Sequence, residues 1–168
     1  MIFAQTFADL FSMDDTTWKR HANPWCFWTR LSVIPVLFLA VWSRFWLGWW
    51  SLLLIAIALF WVWLNARIFP EPNSTNNWVS KGVFGEQIWI NRNQIPIPSH
   101  HRYFPHILTT ISAFGLIFAV WGLITLDLYF TALGTLLIYV GKLWFLDRMV
   151  WLYEDMKDAN PKYRSWLY

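Results

Sequence analysis

Long, uninterrupted apolar stretches constrain this chain more than any other feature. Two of them, from Pro24 to Ser43 and from about Leu47 to Asn65, are each about 20 residues long, enough for a helix to cross a 30 Å hydrocarbon core. Hydrophobic residues make up 57% of the chain and charged residues only 14%, which argues against a soluble domain. The sequence therefore predicts an all-α integral membrane protein.

The apolar stretches predict four transmembrane helices arranged as two hairpins. Arg44 and Gly48 mark a turn in the first pair, because one helix through both stretches would be about twice as long as the bilayer is thick. Pro105 opens the third span, and Asp127 marks the tight turn before the fourth. The predicted spans cover about 24–43, 47–65, 105–126 and 128–146 of a single membrane domain, 1–168.

Local signals refine the first hairpin. Asn23 followed by Pro24 predicts a helix start, because the Asn side chain caps free N–H groups and Pro suits the first helical position. Pro35 lies inside the first span and should kink it. Before these spans, apolar residues at helical spacing predict an amphipathic helix on the membrane surface. Those residues are Ile2, Phe3, Phe7, Leu10 and Phe11.

The segment 67–104 is polar and rich in Pro, Asn and Gly, and it predicts an ordered surface loop without room for another span. Gly82 and Gly85 fall within it, where we expect a turn. Trp78 and its apolar neighbours would let the loop dock against head groups or against the ends of the helices.

The distribution of basic residues predicts orientation. Only Arg44 falls on one side of the predicted spans, while eleven basic residues fall on the other and Lys142 lies within the fourth span. Positive charge marks the cytoplasmic side. Both termini and the loop are therefore expected on the cytoplasmic face of a cytoplasmic (inner) membrane. The isoelectric point near 9.2 is then an orientation signal and a contact with anionic lipid, and no nucleic-acid partner is required.

Small residues recur at helical spacing in the third and fourth spans. In lipid, such stripes allow two helix backbones to approach closely. The sequence therefore predicts a tight contact between these helices, with a substrate groove or an oligomer contact as alternatives. The stripes consist of Ser112, Gly115, Ala119 and Gly122 in one span and Thr131, Gly134 and Gly141 in the other.

Polar side chains concentrate at the cytoplasmic ends of the spans, and they are the candidates for chemistry. The predicted catalytic set is His21, Arg30, Asp147, Arg148 and Asp155. Arginines hold anionic groups, His21 exchanges protons near neutral pH, and a carboxylate orients that His or acts as a base. The predicted substrate-binding set is Asn23, Asn65, Arg67, Glu86 and Lys142. The alternative is that these residues only anchor the bundle at the interface.

Lys142 and a group of three further histidines carry open questions. Lys142 either extends to the interface along its apolar stem or pairs with Asp147 or a bound anion. His100, His101 and His106 are of the residue type that binds transition metals. A single divalent metal completed by His21, Glu86 or Asp155 is therefore one hypothesis for a cofactor.

Several short motifs resemble an uncharacterised family of small prokaryotic multi-pass membrane proteins, known as a domain of unknown function. The resemblance implies residence in a bacterial or archaeal membrane and brings no activity with it. It rests on His21-Ala22-Asn23-Pro24, Trp28-Thr29-Arg30, Asn65-Ala66-Arg67, Phe69-Pro70, Gly85-Glu86 with Trp89, and Asp147-Arg148-Met149 leading to Tyr153-Glu154-Asp155-Met156.

Three functions remain open at this point. The leading hypothesis is a cytoplasm-facing site that binds or transforms an amphiphilic substrate, such as a lipid or an isoprenoid. The second is a non-catalytic accessory or assembly subunit of a larger membrane complex. The third is an oligomeric channel or transporter, against which the scarcity of ionisable residues at the membrane midplane argues. Membrane lipid is the expected partner in each case.

Overall fold

The computed structural model describes residues 15–168, and every regular element in that range is helical. The amphipathic helix expected over residues 2–11 lies outside the described residues. The helices are α1 (Asp15–His21), α2 (Pro24–Leu31), α3 (Val33–Trp42), α4 (Arg44–Leu47), α5 (Ser51–Ile68), α6 (Trp78–Ile90), α7 (Phe104–Thr125), α8 (Leu128–Met156) and α9 (Pro161–Arg164). Short 3-10 turns occupy Gly48–Trp50 and Ser99–His101.

Three segments of the described chain are long and apolar enough to cross a membrane. They are Pro24–Asn65, Ser99–Thr125 and Leu128–Met156. Most of their side chains are not buried within the protein, as expected for helices whose apolar surface faces lipid. These segments support insertion of the protein into a membrane.

Capping residues set two helix starts where the sequence predicts them. The Asn23 side chain accepts a hydrogen bond from the Trp25 N–H at 2.9 Å, with Pro24 in the first turn of α2. Asp127 similarly accepts from the Phe130 N–H at 3.1 Å at the start of α8. Leu126, in the turn before it, adopts a left-handed φ of 56°. The cap predicted at Asn23 is therefore confirmed, and Asp127, predicted to mark the turn, also caps α8.

The interruption between α2 and α3 has a specific cause. Pro35 lacks the N–H that would otherwise bond to the Leu31 carbonyl one helical turn earlier. The Tyr139 hydroxyl, on α8, donates to that carbonyl at 2.9 Å. A side chain on a neighbouring helix thus satisfies the backbone group that Pro35 leaves without a partner.

The long segment Pro24–Asn65 is not one continuous helix. It turns around Ser43 and Gly48, where Gly48 has a φ of 53°, and α3 and α5 then contact each other. Arg44 donates hydrogen bonds to the carbonyls of Leu123 and Ile124 at 2.6 and 2.7 Å. This turn is therefore tied to the last turn of α7.

The predicted stripes of small residues form the contact between α7 and α8. A Cβ atom added at Gly115 would lie 2.8 Å from the Gly134 carbonyl oxygen, and one added at Gly141 would lie 2.8 Å from the Leu108 carbonyl oxygen. The two backbones meet where no side chain fits between them. This prediction is confirmed.

Residues 67–104 are not simply a surface loop, because they contain helix α6, and the prediction of a turn at Gly82 and Gly85 is wrong. Both glycines lie inside α6, which is largely buried against α8. A Cβ at Gly85 would collide with the Met149 carbonyl, and one at Gly82 would lie 2.5 Å from the Leu146 side chain. Glycine disfavours an isolated helix by about 1 kcal/mol, but here it permits the close contact with α8.

Candidate functional site

A partly open cavity of about 360 Å³ lies between the helices. Most of its lining is aliphatic or aromatic, but four ionisable side chains meet at one end, namely His21, Arg30, Glu86 and Lys142. The apolar lining comprises Phe27, Leu31, Val33, Ile34, Leu37, Val62, Val83, Ile138 and Leu146, with Ser112 among them. The cavity thus combines a charged end with an apolar body.

His21 and Arg30 are in direct contact at the charged end. His21 closes α1, the chain turns at Ala22 and Asn23, and α2 then carries Arg30 back, so that its Nη2 lies 2.8 Å from His21 Nε2. A guanidinium can only donate, so Nε2 accepts and the His21 proton is on Nδ1. Burial, reinforced by the positive charges of Arg30 and Lys142, holds the pKa of His21 well below its usual value. His21 is therefore a neutral imidazole at pH 7.

The other charges at this end do not balance. Lys142 Nζ lies 3.7 Å from Glu86 Oε1, and Lys142 does not pair with Asp147, one of the partners considered from the sequence. Within residues 15–168, Arg30 has its hydrogen bond to His21 and no carboxylate in ion-pair contact. Two cations and one carboxylate leave the charged end with an excess of positive charge, and Arg30 has further N–H donors to offer an anion.

A buried polar cluster supports α2 behind the cavity. The Cys26 thiol donates to Asn65 Oδ1 at 3.1 Å, and Asn65 Nδ2 donates to Thr29 Oγ1 at 2.8 Å. The Asn65 side chain is fully buried. Asn23, besides capping α2, donates through Nδ2 to the Pro70 carbonyl at 3.0 Å. Both asparagines hold neighbouring segments together through these hydrogen bonds and do not line the cavity, and their role in substrate binding stays a prediction.

The remaining predicted residues do not join His21 and Arg30. Asp147 accepts a hydrogen bond from Trp78 Nε1 at 3.1 Å. The Arg148 guanidinium lies 5.3 Å from the centre of the Phe104 ring, and Arg67 lies 4.4 Å from the Trp63 ring. The predicted catalytic set is thus distributed over separate places, because successive residues of α8 face different neighbouring elements.

Asp155 belongs to a second polar cluster at the far end of α8. Its Oδ2 lies 3.1 Å from His100 Nε2 and 2.8 Å from His101 Nε2. His106, which the sequence groups with these histidines, instead packs its ring 5.3 Å from that of Trp89. The potential ligand atoms of His100, His101 and Asp155 all lie within 4.8 Å of one another. Neither His21 nor Glu86 contributes to this group.

Sequence reasoning missed the place of Ser112 at the cavity and the hydrogen bond of Thr29. Ser112 was assigned to the stripe of small residues, yet its side chain also lines the cavity. Thr29 was noted only as part of the motif Trp28-Thr29-Arg30, although Asn65 donates a hydrogen bond to it. A lone hydroxyl inside an apolar span was the signal in the sequence that could have identified Ser112. The hydrogen bond of Thr29 has no such signal, because its partner Asn65 lies far away in the sequence.

Comparison with known proteins identifies a family without assigning an activity. No curated protein and no solved structure matches the chain. Residues 3–166, almost the whole chain, match a family of unknown function, DUF6653. The chain therefore belongs to the family of unknown function DUF6653.

Proposed function

We propose that this protein crosses the cytoplasmic membrane of a prokaryotic cell four times, as two hairpins, and binds an anionic amphiphile in the cavity described above. The head group occupies the charged end formed by Arg30 and Lys142, and the hydrocarbon chain lies along the apolar lining. The proposal rests on one observation. An excess of positive charge lies at one end of an apolar cavity between membrane helices.

Contacts between segments outside the spans support an even number of crossings. The Ser80 hydroxyl donates to the Ala22 carbonyl at 2.6 Å, which joins residues before the first span to residues after the second. The Thr75 N–H donates to the Tyr168 carbonyl at 2.8 Å, which joins the same segment to the C-terminal end. All three segments therefore lie on one side, and their basic residues favour the cytoplasmic side.

The depth of the charged end suits a lipid head group. Arg30 lies about 9 Å along the helix from Pro24 at 1.5 Å per residue. Lys142 lies a similar short distance inside the predicted fourth span, and long basic side chains can reach the interface from such positions. The charged end therefore lies close to the level at which phosphate groups of lipids are found.

The donor set favours a phosphate or a phosphate ester over a neutral head group. Arginine offers several N–H donors in a planar arrangement that matches the oxygens of phosphate. Lys142 adds a second cation, and Glu86, 3.7 Å from it, holds the ammonium near the cavity. An anion placed between Arg30 and Lys142 would satisfy donors that the protein leaves available.

His21 gives the site a group that can take up a proton. Its Nε2 accepts a hydrogen bond from Arg30. An anion that draws the Arg30 guanidinium away would leave the Nε2 lone pair free to accept a proton. A neutral imidazole in this position can then remove a proton from a bound group or from water. Any reaction at this site would therefore depend on His21, whereas binding alone depends on Arg30 and Lys142.

Lipid retention by purified protein tests the proposal. Wild type, Arg30→Gln and Lys142→Gln are reconstituted in nanodiscs containing equal amounts of phosphatidic acid and phosphatidylcholine, and retained lipid is measured by native mass spectrometry. Each substitution removes a charged hydrogen-bond donor, so we expect affinity for phosphatidic acid to fall on the order of tenfold. Arg102→Gln, which alters an exposed arginine outside the cavity lining, serves as the matched control.

Two outcomes separate the proposal from the alternatives. Loss of phosphatidic acid retention in both cavity variants, with unchanged melting temperature and normal retention in Arg102→Gln, supports the binding site. Equal retention by wild type and both cavity variants contradicts it. In that case, loss of a copurifying membrane complex from Arg30→Gln would favour the accessory role instead.

A further inference from the structure

We infer that His100, His101 and Asp155 form a binding site for one divalent transition metal ion. The site is separate from the cavity, because Asp155 lies about 20 Å along α8 from Lys142 at 1.5 Å per residue. The metal site is therefore tested independently of the proposed amphiphile site.

The local backbone brings two consecutive histidines to the same carboxylate. His100 and His101 lie in the 3-10 turn Ser99–His101, where the close spacing of residues lets both rings approach α8. Their ring centres are 4.2 Å apart, and both Nε2 atoms approach the same oxygen, Oδ2 of Asp155. In an extended strand, the two side chains would point to opposite faces.

The distances suit coordination of a single ion. A metal bound at about 2.1 Å from each ligand has neighbouring ligand atoms roughly 3.0 to 3.4 Å apart, from the angles of octahedral and tetrahedral geometry. The Asp155 Oδ2 atom lies 3.1 Å from one imidazole nitrogen and 2.8 Å from the other. The ligand nitrogens of the two histidines lie within 4.8 Å of each other, and an approach of the two rings would bring all three atoms around one ion.

The donor set indicates which ions fit. Two imidazoles and one carboxylate suit Zn²⁺, Fe²⁺, Mn²⁺, Co²⁺ or Ni²⁺, whereas Mg²⁺ and Ca²⁺ prefer oxygen ligands. His101 is 5% exposed, while His100 and Asp155 are 66% and 43% exposed. An ion here would have one ligand fixed by burial and an accessible side on which water or another ligand could bind.

Without a metal, the same geometry requires both Nε2 atoms to carry protons and to donate to one oxygen. Metal coordination and hydrogen bonding require different protonation states of the two histidines. A metal needs unprotonated Nε2 lone pairs and a free charged carboxylate, whereas a hydrogen-bonded cluster tolerates replacement of Asp155 by another acceptor. Asp155→Asn retains an acceptor oxygen but loses the anionic ligand, so it discriminates between them.

The experiment measures metal binding to full-length protein purified with a tag that contains no histidine. After treatment with a chelator and dialysis, Co²⁺ is added and its visible absorption is followed, and bound Zn²⁺ is measured separately by mass spectrometry. We expect wild type to bind about one equivalent of Co²⁺ and, in the separate measurement, about one equivalent of Zn²⁺. His101→Ala, His100→Ala and Asp155→Asn should each weaken binding by at least about tenfold.

The matched control is His106→Ala, which removes a nearby histidine that packs on Trp89 and does not face Asp155. It should bind Co²⁺ as wild type does. His100 is mostly exposed, so His100→Ala keeps the test valid even if the other variants fold poorly. Binding of less than a stoichiometric amount by wild type, or undiminished binding by His100→Ala and Asp155→Asn, overturns the inference.

Discussion

The Arg30 guanidinium lies 2.8 Å from Nε2 of His21, and His21 is only 8% exposed. A half-buried arginine in contact with a buried histidine favours the neutral imidazole, since protonation would place two cations together where little water screens them. This relationship makes the charged end of the cavity sensitive to acid.

Stability should fall on acidification because of His21. The folded protein holds the pKa of His21 well below its usual value, through burial and through the charges of Arg30 and Lys142, whereas the unfolded chain takes up a proton near pH 6.5. Unfolding therefore binds a proton below that pH, and the free energy of unfolding decreases by at most about 1.4 kcal/mol per pH unit. Above about pH 7, His21 is neutral in both states, so it no longer makes the free energy of unfolding depend on pH.

Thermal unfolding in detergent between pH 5 and pH 8 measures this effect. His21→Gln should show a shallower loss of melting temperature below pH 6.5 than wild type, whereas His106→Gln should keep the slope of wild type. Identical slopes for wild type and His21→Gln would show that another group is responsible.

The contact between α7 and α8 should not tolerate a larger residue. Gly115→Leu and Gly141→Leu place a side chain where backbone of the facing helix already lies, and overpacking typically costs about 1 to 3 kcal/mol. Ala132→Leu, on an exposed position of α8, is the control. Melting temperatures of both glycine variants equal to that of wild type would rule out this contact as a source of stability.

The hydrogen bond from Tyr139 to the Leu31 carbonyl should matter because of Pro35. Tyr139→Phe leaves the carbonyl without a donor, and an unsatisfied buried group costs about 1 to 3 kcal/mol. Pro35→Ala restores a backbone N–H that can bond to Leu31. In a double-mutant cycle, Tyr139→Phe should therefore be less destabilising in the Pro35→Ala background. An additive result would contradict the proposed compensation.

The four-span arrangement predicts which positions are exposed on each side of the membrane. In a Cys26→Ser background, an impermeant maleimide added to intact cells should label Trp49→Cys. It should label Lys19→Cys and Asn76→Cys only after the membrane is permeabilised. Labelling of Lys19→Cys and Asn76→Cys from opposite sides would indicate an odd number of crossings between them.

Features that depend on nearby residues could be predicted from the sequence. The cap at Asn23 and the turn at Asp127 both depend on residues within one helical turn. The spacing of Gly115 and Gly141 on their helices fixes the faces that meet. Helix α6 was missed because glycines favour turns locally, and only contact with the Met149 backbone explains Gly85 in a helix.

The candidate site could be predicted only in part, for the same reason. His21 and Arg30 lie close together in the sequence, on either side of a predictable helix start. Glu86 meets Lys142 only because α6 packs against α8. Asp147 and Asp155 lie on one helix, yet their partners are Trp78 in one case and two histidines in the other. Sequence spacing cannot specify which neighbouring element each side chain will face.

Photo-crosslinking tests the central claim most directly, because it reports where the hydrocarbon chain of a bound lipid lies. Phosphatidic acid with a diazirine in its acyl chain is reconstituted with the protein, and crosslinked peptides are mapped by mass spectrometry. We predict crosslinks at cavity residues such as Leu37, Val62 and Ile138, lost in Arg30→Gln. Crosslinks confined to outward-facing residues such as Leu52 and Trp121, equal in wild type and Arg30→Gln, would contradict an amphiphile site.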